Sequence, residues 1–349
     1  MNMKAKLSII AATLSVLLTA CGGGGGGATT GSTPNTPSAP STPTDTTPTP
    51  PVVVPGDLQT TVPAPTYQAA SQEMAFFTAL NNFRSAVGLG LLAQNQQLDQ
   101  AAKNHVNYLL SNPDINFSAI DQATGRPMFH VEQQTRSGFT GVLESDRAKA
   151  VGYMGAYVGE SGAYGLGNGG AKVLADLASG IYHRQGLMFQ EQREIGISMG
   201  SDSAQTTVIE LGYMTAPQRN ASNFVGAYPA DKQTDVPLAS YQEVPNPYPE
   251  LTTFDAVQKG TSYPISIVTK SNTTLTVATF TVTEQGQTEA LPMRLFTKDS
   301  DPNKFLLGNI AFVVGRAPFK ANTNYTVRFV GTVDGAAISK TWTFTTASK

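Results

Sequence analysis

A single cysteine, at position 21, leaves everything after it without a disulfide. Whatever folds downstream must hold itself together by burying apolar surface alone, and a chain of 349 residues has room for more than one core of that kind. The cysteine itself stands outside any fold. Lys4 and Lys6 precede an apolar run from Leu7 to Leu18, and Leu18-Thr19-Ala20-Cys21 closes it, the order of a charged region, an apolar region and a cleavage site. That run is about a dozen residues, short of the roughly 20 a helix needs to cross a hydrocarbon core. Residues 1–20 therefore read as a removable signal peptide.

An apolar Leu, two small residues and Cys resemble the bacterial lipobox, which implies a diacylglycerol on the Cys21 thiol. Gly22 in place of an acidic residue resembles the pattern sorted to the outer membrane of a diderm host. The expectation is an extracytoplasmic outer membrane lipoprotein, held to the membrane by its N-terminal lipid; a plain secretory signal with an incidental cysteine is the alternative. Residues 21–65 follow as the lipidated Cys and a tether, with unbroken glycine from Gly22 to Gly27 and then Thr, Pro, Ser and Ala, relieved only by Val52 to Val54 and Leu58. Such text buries too little to offset its ordering entropy. About 40 residues of it span on the order of 35 Å as coil and ~120 Å as polyproline II; a glycosylated stalk is the other reading of Thr/Pro text. Without Lys4 and Lys6 the 23 basic residues fall to 21 against 25 acidic ones, a net charge of -4. No basic cluster remains, so nucleic acid is not an expected partner.

The rest divides by texture. In residues 66–225, Met74, Phe77, Leu80, Phe83 and Val87 recur at helical spacing, as do Leu98, Ala101, Ala102, His105 and Leu109 before Pro113. Glu194 to Met199 and Thr206 to Met214 read as two strands around the turn residues Gly200-Ser201-Asp202-Ser203. Residues 226–249 are proline-rich and read as an interdomain segment, the expected first site of proteolysis. Residues 250–349 read as strands only: Tyr263 to Val268, Leu275 to Thr283, Met293 to Phe296, Ile310 to Val314, Tyr325 to Val330 and Ser339 to Thr345, with Asp334-Gly335 as a hairpin turn.

Chemistry concentrates in the first of these parts. His130, in Phe129-His130-Val131-Glu132, and His183, in Ile181-Tyr182-His183-Arg184, stand in polar text, with Glu160 between them in Gly159-Glu160-Ser161-Gly162. Two imidazoles with one or two carboxylates suit zinc or a similar divalent ion, or a general acid and base; a hydrogen-bonded His pair in a polar cleft has the same sequence. His130, Glu160 and His183, with Glu132 as a weaker fourth, are the candidate metal ligands, and Glu160 and His183 the candidate catalytic residues. His105 falls on the apolar face of its helix and reads as a hydrogen-bonded core residue. The glycines from Gly162 to Gly170 lack the Lys-Ser or Lys-Thr of a phosphate loop. No Gly-x-Ser-x-Gly is present, and no cysteine follows position 21, so no nucleophile motif is evident.

Leu80-Asn81-Asn82-Phe83-Arg84, Val87-Gly88-Leu89, Leu92, Leu98, Ala101-Ala102 with His105, then His130, Gly159-Glu160, His183-Arg184 and Gly196 together resemble the bacterial branch of the CAP superfamily, over about residues 70–215. The resemblance implies an α+β fold, a three-layer α-β-α sandwich; Phe319 to Val327 and Thr341 to Thr345 separately resemble the last strands of immunoglobulin-like or fibronectin-like modules, which implies an all-β immunoglobulin-like sandwich after it. The CAP resemblance also implies a cleft carrying two histidines and two acids, matched here by His130, Glu160 and His183. Ser161 replaces the usual Asn and Leu177 the usual Trp. The second acid has no clear counterpart, Glu132 and Asp176 being the two candidates. Tyr325, near the start of a late strand, has the place of a tyrosine corner, and Trp342 and Phe344 alternate onto one core face.

Three functions are compatible with these features: a cell-envelope protein binding a small apolar or polymeric ligand (lipid, peptide or cell wall) with or without a divalent metal, a hydrolase of peptide or cell-wall substrate using His130, Glu160 and His183, and an adhesin-like protein with a vestigial cleft. The anchor is testable by itself. Radiolabelled palmitate should enter the wild type and leave it in the membrane fraction, while Cys21→Ser takes up no label and is released; label in the variant would refute the anchor.

Overall fold

The computed structural model describes residues 53–165, 169–203 and 205–349, and residues 51–349 form one compact unit. The signal peptide, Cys21 and residues 21–52 of the expected tether lie outside the described residues. The end of that tether does not behave as one. Asp57 and Arg219 exchange backbone hydrogen bonds of 2.6 and 3.0 Å, and Gln59 donates from Nε2 to the carbonyls of Leu91 and Arg193. A Cβ at Gly56 would fall 2.7 Å from the Arg219 carbonyl. Backbone partners on the domain thus order residues that composition alone assigns to a disordered stretch.

Helix α1 (Gln72–Val87) opens on Ser71, whose Oγ accepts from Met74 N, and stops at Gly88, which takes the left-handed conformation at φ 88°. Its buried face, Phe76, Phe77, Leu80, Phe83 and Val87, is the one the periodicity gives, except that Met74 lies at its edge. A short strand β1 (Ala93–Gln94) leads into α2 (Gln96–Ser111), capped by Asn95. Then come α3 (Glu144–Ala150), β2 (Tyr157–Ala163), α4 (Gly170–Ala178), α5 (Ile181–Leu187), β3 (Glu194–Met199) and β4 (Thr207–Tyr213). The sheet order is β1-β3-β4-β2, antiparallel apart from β1 beside β3. Period-two alternation gives the sheet two faces. Ile195, Ile197, Ile209 and Leu211 pack with α1 and α4, while Val208 packs with α2. A Cβ at Gly196 would lie 2.0 Å from the Leu98 backbone, so only glycine lets α2 approach. This is the expected three-layer α-β-α sandwich.

The second part is the expected all-β sandwich, and it starts earlier than its texture does. Strands β5 (Val225–Tyr228) and β6 (Gln233–Val236) arise inside the proline-rich segment, and after α6 (Phe254–Gly260) come β7 (Ile265–Thr269), β8 (Leu275–Glu284), β9 (Met293–Phe296), β10 (Ile310–Gly315), β11 (Asn324–Val333) and β12 (Ala336–Thr346). They form two four-stranded sheets, β5-β7-β10-β9 and β6-β12-β11-β8. Both proline-flanked strands lie at a sheet edge, where a missing N–H is tolerated. Asp334 and Gly335 turn the β11–β12 hairpin with φ of 49° and 84°. Tyr325 Oη accepts from Lys320 N at 2.9 Å, closing a tyrosine corner.

Residues 226–249 are therefore structured, in contrast to the interdomain reading, because the two parts share a core. Val268, Phe296, Ile310, Phe312 and Val314 join the cluster built by α1, α4 and α5, while Ile265, Ile267, Ala311 and Val313 face the sandwich interior. Arg184, fully buried, lies between the rings of Tyr263 at 4.6 Å and Tyr228 at 5.1 Å and donates to the carbonyls of Ala178 and Pro264.

A shared core makes unfolding one event. Leu80→Ala, remote from the sandwich in sequence, should cost about 2–5 kcal/mol and should move the fluorescence transition of Trp342, the single tryptophan, as far as it moves the far-ultraviolet one. Limited proteolysis should leave residues 237–249 intact. Two separated transitions, or a first cut in that segment, would show two independent domains.

Candidate functional site

Antiparallel pairing sets Glu160 of β2 directly opposite Glu210 of β4, on the face turned away from Ile209 and Leu211. Like charges placed so are unfavourable, and both residues are sealed from water. Arg147 of α3, also buried, resolves the conflict. Its Nη2 donates to Glu160 Oε2 and lies 3.8 Å from Glu210, and its Nε is 4.0 Å from Glu132. Burial by itself would raise the Glu160 carboxyl, but Arg147, then His105 and His130, outweigh it and hold that group well below the usual carboxylate range. Burial, then the Glu160 charge, push Glu210 well above it. The two carboxyls titrate as a pair, with the negative charge drawn toward Glu160 and away from Glu210.

His105 stands behind this cluster, as its helix face suggests. It is fully buried, with Nδ1 2.9 Å from Glu132 Oε1 and Nε2 2.8 Å from the Phe129 carbonyl. Glu132 is consumed there as well, since it accepts from Thr140 N at 2.6 Å and Gly141 N at 3.2 Å. It lines no part of the cleft, which removes it as a ligand. Asp176, the other candidate acid, pairs with Lys172 one turn away.

His130 ends a short 3-10 turn, Met128–His130, and its Nδ1 lies 2.7 Å from Glu160 Oε1. Because Glu160 is held toward its ionised form it accepts, so Nδ1 is the protonated nitrogen and Nε2 has no partner among the described residues. His183, on α5, lies 2.9 Å through Nδ1 from Oε2 of Glu243. Each ring is about four-fifths covered. Both line two adjoining cavities. The larger, of about 330 Å³, is walled by Tyr157, Ser161, Tyr182, Gln192 and Phe305; the smaller, of about 170 Å³, by Phe117, Phe129, Tyr164, Leu177 and Tyr241. Ser161 Oγ and Gln192 Oε1 are buried at the larger one with no hydrogen-bond partner among the described residues.

The expected metal ligands are thus brought to one place but not into one ligand set. Glu160 spends its oxygens on His130 and Arg147, and among the described residues no group of three or more His, Cys, Asp or Glu side chains could hold a metal ion. Three residues of the site carry no signal in the sequence pattern. Arg147 and Glu210 have no motif around them, although alternation along Thr207 to Tyr213 places a carboxylate on a buried face. Glu243 lies in text that reads as a crossing segment.

Residues 77–216 match the profile of CAP, the Cysteine-rich secretory protein family. Among solved structures the chain is similar to an outer surface protein from Borrelia burgdorferi, at 15% sequence identity and a TM-score of 0.32, over 42% of this chain and 96% of that one. No curated protein matches it.

The charge cluster fixes the response to pH. Glu160, depressed in the folded state, contributes stability above the ordinary carboxylate range that is lost as pH falls through it. Glu210, raised in the folded state, works the other way: above that range the unfolded chain releases a proton that the native state keeps, so stability falls as pH rises. Urea titrations should find Glu210→Gln more stable than wild type at pH 8, with the difference closing toward pH 4. Arg147→Met should lose about 3–5 kcal/mol at pH 8, leaving Glu160 buried and uncompensated. Equal stability of Glu210→Gln and wild type at both pH values would contradict the upward shift of Glu210.

Proposed function

Residues 77–216 of this chain are a CAP domain, and from that premise we propose that the protein is a binding protein of the cell envelope, anchored outside the cytoplasm by a lipid on Cys21, whose cleft takes a small amphipathic ligand. The observation that carries the reading is the pair of imidazoles, each engaged by a carboxylate at Nδ1 and, among the described residues, without a partner at Nε2, at the junction of a cavity of mixed lining and an aromatic one. A polar group in the larger cavity meets Ser161 Oγ and Gln192 Oε1, whose burial without a partner otherwise costs free energy. An apolar flank meets Phe117, Tyr164 and Tyr241. The anchor and the location outside the cytoplasm rest on the sequence of residues 1–22. Among the described residues no helix is long and apolar enough to cross a membrane.

Binding is favoured over hydrolysis because, among the described residues, no serine lining the cleft hydrogen-bonds a histidine. Among the described residues Ser161 Oγ has no hydrogen-bond partner, histidine included, and a serine without an adjacent base is a weak nucleophile. Zinc, the ion suggested by the donor types, would meet only the Nε2 atoms of His130 and His183, fewer donors than a catalytic site supplies. The three-ligand set does not fit, and the binding reading does not depend on a metal.

Val244 is exposed and borders both cavities, so Val244→Trp should obstruct the cleft without disturbing a core. Equilibrium dialysis with a labelled disaccharide muropeptide and with labelled palmitate should show saturable binding of one of them to wild type, weakened at least tenfold by Val244→Trp and by His183→Ala. No saturable binding of either, or binding indifferent to both substitutions, would overturn the proposal. Recovery of a cleaved muropeptide would favour the hydrolase instead.

A further inference from the structure

The CAP profile ends at residue 216, and among the described residues within it no acid reaches His183. The acid that does is Glu243, 60 residues beyond it in the chain. The Glu243 carboxylate is nearly enclosed and makes a dense set of bonds. It accepts from Ile181 N at 2.6 Å, from Tyr182 N at 3.1 Å, from His183 N at 3.1 Å, and faces His183 Nδ1 at 2.9 Å. Gly180 makes room for it, since a Cβ there would lie 2.5 Å from Glu243 Oε2.

The segment that delivers Glu243 is fixed on both sides. Ser240 Oγ donates to the Ser179 carbonyl at 2.9 Å, Gln258 of α6 donates to the Ser240 carbonyl at 2.5 Å, and Asn303 donates to the Asn246 carbonyl at 2.9 Å. The acid therefore stands on the framework of the β-sandwich rather than on a loose loop. The same segment contributes Tyr241 and Val244 to the cavity walls.

We propose that Glu243 is the positioning residue of the cleft's second histidine, supplying from outside the CAP domain the acid that the domain itself lacks. As an acceptor it fixes the proton of His183 on Nδ1 and presents Nε2, lone pair outward, as the cleft-facing nitrogen. His130 is set the same way by Glu160, so the two rings enter the cleft in one tautomer, one oriented by the CAP sheet and the other by the sandwich. The inference rests on reading the cleft as the binding site, but its test needs no ligand and can fail independently.

Three histidines make the test direct. In the full chain labelled with ¹⁵N-histidine, two-bond and three-bond correlations report which ring nitrogen carries the proton. Wild-type His183 should be the Nδ1–H tautomer at pH 8. In Glu243→Ala it should change to Nε2–H, the form a free imidazole prefers, while the His105 and His130 signals stay in place, a selectivity that general destabilisation does not produce. If Glu243→Ala does not fold, Glu243→Gln replaces the charged acceptor with a neutral one, and the hydrogen-bonded Nδ1 proton should move upfield as the bond weakens. An Nε2–H tautomer in wild type, a tautomer unchanged in folded Glu243→Ala, or an unmoved proton in Glu243→Gln would each overturn the proposal.

Discussion

Arg147 is the charge around which the CAP domain closes. Two like charges at side-chain contact repel by about 4 kcal/mol at an effective dielectric of about 20, and the register of β2 against β4 sets Glu160 opposite Glu210 with no water to spread the charge. One guanidinium cannot neutralise Glu132, Glu160 and Glu210 together. The cluster settles by shifting Glu210 toward its neutral form, so that Arg147 serves Glu160 first. What remains of the Glu160 charge is spent on His130. The orientation of the first cleft imidazole thus traces back to a buried arginine on a neighbouring helix, which is why the site depends on the sheet's charge balance rather than on its exposed residues.

Helix α5 does for the second imidazole what α3 does for the first, with every residue of one turn in use. Tyr182 donates to Asp301, which in turn accepts from Phe305 N and Leu306 N; His183 meets Glu243; Arg184 enters the interface with the sandwich; Gln185 exchanges hydrogen bonds with Phe305 and Leu307. Four consecutive side chains on a helix point in four directions, and here all four find partners in the chain after position 240. A helix of seven residues could not be held so firmly by propensity; tertiary bonds define it.

Periodicity along the chain discloses local elements, whereas contacts between distant residues leave little trace in it. The faces of α1 and α2, the strands Glu194 to Met199 and Thr207 to Tyr213, the Asp334-Gly335 turn and the Tyr325 corner are all legible, because each is a local rule acting on local residues. The runs Ile265–Thr269 and Ile310–Gly315 are buried along their whole length, and such continuous apolar text already signals a strand covered on both faces; the helices that cover one of those faces can be sought on that ground. His130, Glu160 and His183 stand out because of their residue types and polar surroundings. Strands β5 and β6 are hidden by the prolines around them. Arg147 and Glu243 are hidden because nothing near them in the chain marks a buried charge, and Glu210, although its strand is apolar around it, shows nothing of its partner, which is what defines a buried charge.

The position of Glu243 changes what the two modules are to each other. Had the sandwich been a spacer, its loss would leave the CAP cleft intact. Instead the wall formed by Tyr241 and Val244, the roof at Phe305 and the acid that orients His183 all come from the chain after the CAP domain. The cavity is complete only when both modules have folded and the core between them has closed. Separating them would expose the apolar faces of α1, α4 and the β5-β7-β10-β9 sheet together, a cost in buried area far above that of opening a lone hydrogen bond. The cleft is therefore held in one shape by the same burial that stabilises the whole, and the two imidazoles that line it are each fixed by a carboxylate as the chain folds.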